Sequence, residues 1–176
     1  MGGRGGSGAR AGGASGFAIA DLQGSPNQVA WASDLLQDML TGHDVAVQVF
    51  QDNVKALDKW AKIYTEAGDV ASVQDVLQDK AAALEAIKAV RKSKREFVAE
   101  TNSKIKDGSL TAHKIINSRK YDRSEIRFVV YDRGRKFASE KYKKLSPKET
   151  EGHDALDRVF DSAFSETLQR RIKKRK

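Results

Sequence analysis

The chain has only two prolines, at positions 26 and 147, and 120 residues without proline lie between them. Because proline is the strongest helix breaker, this interval leaves room for long, uninterrupted helices. Apolar residues within it recur at spacings of three and four, beginning with Val29, Ala32, Leu36 and Met39. That spacing places them on one face of an α-helix. The sequence therefore predicts an all-α protein.

The first predicted helix starts with a capping box. Ser25 precedes Pro26 and is followed three residues later by Gln28, which is the pattern of a helix N-terminus. Trp31 lies one turn further on, and we expect it to anchor the helix in the core. Gly42 supplies a left-handed C-cap residue, so we expect this helix to end there.

Two further helices are predicted in the first 108 residues. The second runs from about residue 44 to 67 and ends at Gly68. The third, from about 69 to 106, is the longest and ends at Asp107-Gly108. Its apolar pattern weakens after Val90, where the basic run Arg91–Glu96 begins. We therefore expect this helix to project beyond its partners from Val90 onward.

The remaining chain is less regular. A short helix is predicted in the segment 109–122, and Ile126–Tyr131 has the composition of a strand. Ile126, Val130 and Phe137 also fit a helix with a weak point at Gly134, and we favour the helix because a lone strand has nothing to pair with. A second Ser-Pro capping box at 146–149 begins the last helix, which ends in RRIKKRK.

The predicted fold is thus a helical bundle with one long central helix, a flexible Gly-rich tail and a short strand at 126–131 as the alternative. The balance of charged residues also changes along the chain. Residues 1–16 form the Gly/Arg tail, with two arginines and no acid. Residues 17–90 carry five Lys or Arg against eleven Asp or Glu, and residues 91–176 carry 25 against 13. We predict an acidic helical domain of three helices at 17–108 and a basic helical region at 109–176.

Several classes of protein do not fit the sequence. No run approaches the roughly 18 apolar residues of a membrane span, so we expect no membrane partner. Cysteine is absent, which excludes disulfides and thiolate metal sites. The three histidines, His43, His113 and His153, show no metal-ligand spacing, and no nucleotide-binding or nucleophile motif occurs. We expect a protein that is not an enzyme and that has no cofactor, no metal and no small-molecule substrate.

The basic region predicts an anionic partner, with nucleic acid first and an acidic protein second. Its cations are interleaved with aromatic residues that can stack on unpaired bases, whereas we expect Phe128 to belong to the core. The candidate binding residues are Arg91, Lys92, Lys94, Arg95, Lys114, Arg119, Lys120, Arg123, Arg127, Arg133, Arg135, Lys136, Lys141, Lys143, Lys144, Arg170, Arg171, Lys173, Lys174 and Arg175, and the candidate stacking residues are Tyr121, Tyr131 and Tyr142.

An acidic group allows one catalytic alternative. Paired carboxylates hold metal ions in metal-dependent nucleases. A solvated acidic face that docks on a basic protein is the interpretation we favour, because helical spacing puts most of these side chains outside. The residues concerned are Asp34, Asp38, Asp44, Asp52 and Asp58.

Two segments carry a resemblance to a known family. GSPNQVAWASDLL, from Gly24 to Leu36, resembles the motif G-S/T-x-K-Q-I-A-W-A-E-x-I of small proteins from bacteria, phages and mobile elements. A second motif of that family reads approximately A-K-W-W-I-D-N-R, and Ala112–Arg119 occupies the corresponding place. Ala112, Ile116 and Arg119 match it, while the two tryptophans and the aspartate of the motif are replaced.

This resemblance implies a context and no activity. It implies a phage or mobile-element protein in the cytoplasm of a bacterial host. We expect such a protein to bind nucleic acid or a host nucleoprotein complex. The most specific version of this hypothesis is that it inhibits a CRISPR effector nuclease, as anti-CRISPR proteins do. The alternatives are a DNA-binding accessory factor in phage replication or packaging and, third, a metal-dependent nuclease.

Overall fold

The computed structural model describes residues 16–139 and 154–175. Helices account for most of them, and these residues include no strand, which confirms the all-α prediction. A single turn of 3-10 helix at 19–21 precedes the first long helix, and two more, at 119–121 and 123–125, lie between later helices. The helices are α1 (Pro26–Glu66), α2 (Val70–Lys106), α3 (Ala112–Asn117), α4 (Ile126–Lys136) and α5 (Asp154–Arg175).

The start of α1 is formed as its sequence predicts. The Gln28 amide donates to Ser25 Oγ over 3.4 Å, and the Ser25 amide donates to Gln28 Oε1 over 3.1 Å. Pro26 occupies the first helical position, where the missing amide hydrogen costs nothing. The predicted capping box is therefore confirmed.

The predicted break at Gly42 is wrong, because α1 continues through it to Glu66. Gly42 is buried and lies where α4 crosses α1, with Ile126 and Val130 of α4 packed against its α-carbon. Glycine is present here to let two helices approach closely, and not to end one of them. The two predicted helices at 25–40 and 44–67 are one helix.

The turn between α1 and α2 follows local rules. Gly68 has φ +71°, a left-handed conformation that glycine adopts without a steric penalty. Asp69 then caps α2, because its carboxylate accepts the Ser72 amide over 3.1 Å. The bounds of α2 agree with the predicted third helix, and Gly108, with φ +76°, closes it.

α1 and α2 form a long antiparallel hairpin, and the smaller helices cover only one half of it. The buried cluster contains Leu36 and Val90 from the hairpin, together with Ile126 of α4 and Phe164 of α5. By contrast, no side chain from residue 51 to residue 81 is buried. We call this segment the arm; it is the half of the hairpin that projects from the body of the protein.

The direction of projection is opposite to the predicted one. The half of α2 that follows Val90 is packed, since Ser93, Phe97, Thr101 and Ile105 are all buried. The basic side chains of this half therefore occupy the outer face of a packed helix. The free end of the hairpin is formed by the last turns of α1 and the first turns of α2.

The strand alternative at 126–131 is wrong, because these residues form the first part of α4. Gly134 is buried within the same helix, which continues to Lys136. The tail, up to residue 15, and the capping box at 146–149 lie outside the described residues. Among the described residues, no helix is both long and apolar enough to cross a bilayer.

Candidate nucleic-acid interface

A groove of about 600 Å³ lies between α5 and the segment that leads into α4. Its floor is apolar, since Phe164 and Leu168 of α5 are buried. Phe128 of α4 forms part of the wall, and its side chain is 53% exposed. The groove thus presents one aromatic face to solvent.

Cations surround this aromatic ring. Arg123 and Arg127 line the groove on one side and Lys173 lines it on the other. The Arg127 guanidinium carbon lies 5.0 Å from the centroid of the Phe128 ring, within the range of a cation–π contact. An aromatic face beside several cations has the chemistry that binds a base and its phosphate.

The expectation that Phe128 belongs to the core is wrong. Once the segment is known to be a helix, the exposure follows from its period: two residues beyond Ile126, a helix has turned by about 200°. Ile126 and Val130 face the core and are buried, so Phe128 lies on the opposite side. The helical period of this segment, applied to Phe128, would have indicated its exposure from the sequence. The strand-like composition obscured this, because in a strand Phe128 would share a face with Ile126 and Val130.

Two predicted binding residues hold a buried carboxylate. Asp38 of α1 is fully buried, and both Arg123 Nε and Arg175 Nη2 donate to it. Arg175 also donates to the carbonyl of Asp34 over 3.4 Å. A buried charge is tolerated when it is paired and hydrogen-bonded, so these arginines fasten α5 and the turn before α4 to α1.

Other predicted cations contact the protein itself. Lys94 Nζ lies 2.7 Å from Asp44 Oδ1, and Arg119 Nη2 lies 2.9 Å from Glu125 Oε1. Lys114 donates to the Ser109 carbonyl over 2.7 Å, and Arg171 donates to Gln48 of α1. Some of the predicted nucleic-acid-binding cations therefore form contacts within the protein.

Arg133 links α4 to α2. Its Nη1 donates to Glu100 Oε2 over 3.1 Å, and its guanidinium lies 5.3 Å from the centroid of Phe97. Burial raises the pKa of Glu100, but the hydrogen bond and the charge of Arg133 outweigh it, so the pKa is lowered. The Glu100 carboxylate therefore stays ionised at neutral pH.

The rest of the predicted cations have exposed side chains. Lys92 lies over the ring of Phe137, with Nζ 4.9 Å from the centroid, so the α2 cations neighbour the end of α4. On α5, Arg170 and Lys174 have exposed side chains. The exposed members are Arg91, Lys92, Arg95, Lys120, Lys136, Arg170, Lys173 and Lys174.

The predicted stacking residues are only partly accessible. Tyr121 packs against Phe97, with ring centroids 6.4 Å apart, and burial raises the pKa of its hydroxyl. Tyr131 is also half-buried against the core. Tyr142, Lys141, Lys143, Lys144 and the side chain of Arg135 lie outside the described residues.

The aspartates of the acidic group do not share one environment. Asp34, Asp44, Asp52 and Asp58 are exposed along α1, whereas Asp38 is enclosed by its two arginines. Within the described residues, no three histidine or carboxylate side chains cluster as metal ligands. Asp44 and Asp58 each pair with a lysine of α2.

Trp31 and His43 of α1 lie in opposite environments. Trp31, expected in the core, is 56% exposed on α1. His43 is fully buried, and its Nδ1 lies 2.8 Å from the Met39 carbonyl while Nε2 lies 3.3 Å from Ser93 Oγ. A carbonyl only accepts, so Nδ1 carries the proton and Nε2 accepts from the serine. Burial lowers the pKa of His43 to about 4.

Comparison of the sequence with protein-family models gave no match, and comparisons with curated proteins and with solved structures gave none either.

Proposed function

We propose that this protein binds nucleic acid without catalysing a reaction, and that the groove between α4 and α5 is the contact surface. The observation that carries the proposal is the half-exposed ring of Phe128 between Arg127 and the Lys173 side of the groove. A ring in such a groove offers stacking to a base, and the neighbouring cations attract phosphates.

The form of the groove favours single-stranded nucleic acid. A base has to leave its stack before it can lie on Phe128, and this costs less in a single strand, where no base pair has to be broken. Arg123 remains part of the contact surface although it binds Asp38, because two arginines share one carboxylate and leave a net positive charge. The exposed cations Lys173 and Lys174 continue the positive surface along α5.

Fluorescence anisotropy with a labelled oligothymidylate and with a duplex of equal length tests the proposal. We expect Phe128→Ala to weaken single-strand binding by about 1–3 kcal/mol, the usual contribution of one stacked base. Trp60→Ala is the matched control, because Trp60 is 51% exposed but lies on the arm. Absence of binding at low salt, or equal effects of the two substitutions, would overturn the proposal.

The biological form of this proposal is a phage or mobile-element protein that inhibits a CRISPR effector nuclease in the bacterial cytoplasm. Its support is the sequence resemblance and the division of charge, which lets a basic region bind guide RNA while the acidic helices face a basic effector surface. An accessory role in phage DNA replication or packaging is the alternative.

A pull-down from host lysate, with and without nuclease treatment, separates these two roles. Recovery of a defence effector after nuclease treatment supports inhibition, whereas recovery of replication or packaging proteins supports the accessory role. Cleavage of the oligonucleotide with magnesium, abolished by a chelator, would instead support a nuclease.

A further inference from the structure

The first turns of α2 have an outer face without any charge. Val70, Gln74, Leu77, Ala81 and Leu84 follow one another at alternating spacings of four and three. This is the spacing of a coiled-coil seam, in which one helix packs along another. We call these five residues the outer seam.

The outer seam is not the surface that packs on α1. Within the hairpin, α2 turns Val73 and Val76 towards α1, and these side chains are partly buried. The outer seam lies on another face: Val70 is 67% exposed, Leu77 51% and Leu84 42%. Of the seven large hydrophobic side chains that are exposed among the described residues, these three lie in one row along a single helix.

We propose that the outer seam binds the outer seam of a second copy of this chain, in an antiparallel arrangement about a twofold axis at Leu77. A face without charge does not repel its own copy, and a twofold interface needs a surface that complements itself. Leu77 then meets Leu77, and Val70 meets Leu84 of the partner copy.

The charges at the two ends of the seam favour the antiparallel arrangement. Glu66 and Asp69 lie at the tip of the arm, just before the seam. At the end towards the body, Lys88 and Lys92 outnumber the one nearby carboxylate, Glu85, which pairs with Lys88 over 3.0 Å. Antiparallel pairing brings the acidic tip of each copy next to the lysines of the other. Parallel pairing would instead place the like charges at each end of the seam opposite each other.

Antiparallel pairing also separates the two basic bodies. The seam rises about 21 Å from Val70 to Leu84 at 1.5 Å per residue, and the bodies lie at its opposite ends. Residues 91–176 carry 25 Lys or Arg against 13 Asp or Glu, so bodies placed side by side would repel each other. The groove beside Phe128 is part of the body and stays open in this dimer.

Sedimentation equilibrium of the full chain, purified free of nucleic acid at high salt, tests the association. We expect a dimer at micromolar concentration, and we expect Leu77→Lys to weaken it at least tenfold. At a dilution where both proteins are monomers, the two thermal unfolding midpoints should be the same. Phe128→Lys is the control, because Phe128 is equally exposed but lies on the body, and this variant should remain a dimer.

The absence of cysteine allows the orientation to be tested by cross-linking. We expect Leu77→Cys to cross-link to itself under mild oxidation. Val70→Cys and Leu84→Cys should cross-link to each other in an equal mixture, and each should cross-link poorly alone. A monomer at 100 micromolar, a dimer that Leu77→Lys leaves intact, or efficient self-cross-linking of Val70→Cys would each overturn the proposal.

Discussion

The α-carbon of Gly42 in α1 lies directly against the Ile126 side chain of α4. A β-carbon at position 42 would come closer to Ile126 Cγ2 than van der Waals contact allows, and it would lie 3.4 Å from Val130 Cγ2. The close crossing of α1 and α4 therefore depends on the absence of a side chain at position 42. Since α4 also carries Phe128, this contact sets the position of the groove.

Gly42→Ala should destabilise the protein although alanine is the better helix former. Alanine gains about 1 kcal/mol of helix propensity, but overpacking a close contact costs about 1–3 kcal/mol and displaces α4. We expect a net loss in the free energy of unfolding, measured by urea denaturation. In an Ile126→Ala background the same substitution should be neutral or stabilising. An equal loss in both backgrounds would contradict the steric explanation.

Asp38→Asn should destabilise the protein by about 3 kcal/mol. The substitution leaves Arg123 and Arg175 without the carboxylate that balances their charges, and removing one partner of a buried ion pair is costly. Asp34→Asn is the matched control, because Asp34 lies one turn away on α1 with an exposed side chain. Similar denaturation midpoints for the two variants would show that Asp38 is not a structural anchor.

The stability of the protein should fall between pH 6.5 and pH 4 because of His43. Its pKa is lowered from 6.5 to about 4, chiefly by burial, while the hydrogen bond to the Met39 carbonyl acts in the opposite direction. Below pH 6.5 the unfolded chain therefore binds a proton that the folded protein does not bind. The difference in pKa corresponds to roughly 3 kcal/mol, present in full above pH 6.5 and lost as the pH falls to 4.

Urea denaturation at a series of pH values measures this effect, and His43→Gln isolates it. The variant cannot titrate at position 43 but retains the carboxylates, so its free energy of unfolding should depend less steeply on pH over the same interval. Parallel pH profiles for the two proteins would show that His43 does not cause the dependence.

Replacing both Lys173 and Lys174 with glutamine should flatten the salt dependence of nucleic-acid binding. Each phosphate contact contributes about one unit to the slope of log affinity against log salt, so the loss should be between about one and two units. Both lysines are exposed on α5, and the melting temperature should not change. Arg171 and Arg175 of the same helix are unsuitable for this test, since they bind Gln48 and Asp38 of α1. An unchanged slope would remove α5 from the interface.

The sequence predicted those parts of the structure that depend on neighbours along the chain. The cap at Ser25, the bounds of α2 and the all-α class follow from hydrogen bonds and apolar spacings within one or two helical turns. The division into an acidic and a basic half is likewise a property of the sequence alone. These features can be predicted without knowing which helices pack against each other.

Only the tertiary structure decided the roles of several single residues. A glycine at position 42 is typical of a helix end, but α1 continues through it. The contact with Ile126 is the reason for a glycine at this position. Asp38 looked like one of several surface carboxylates, yet Arg175, 137 positions later in the chain, binds it in the core. The exposure of Phe128 and Trp31 and the bare outer seam of α2 likewise depend on which helices pack together. Contacts between residues so far apart are set by the packing of whole helices, and no local pattern in the sequence records them.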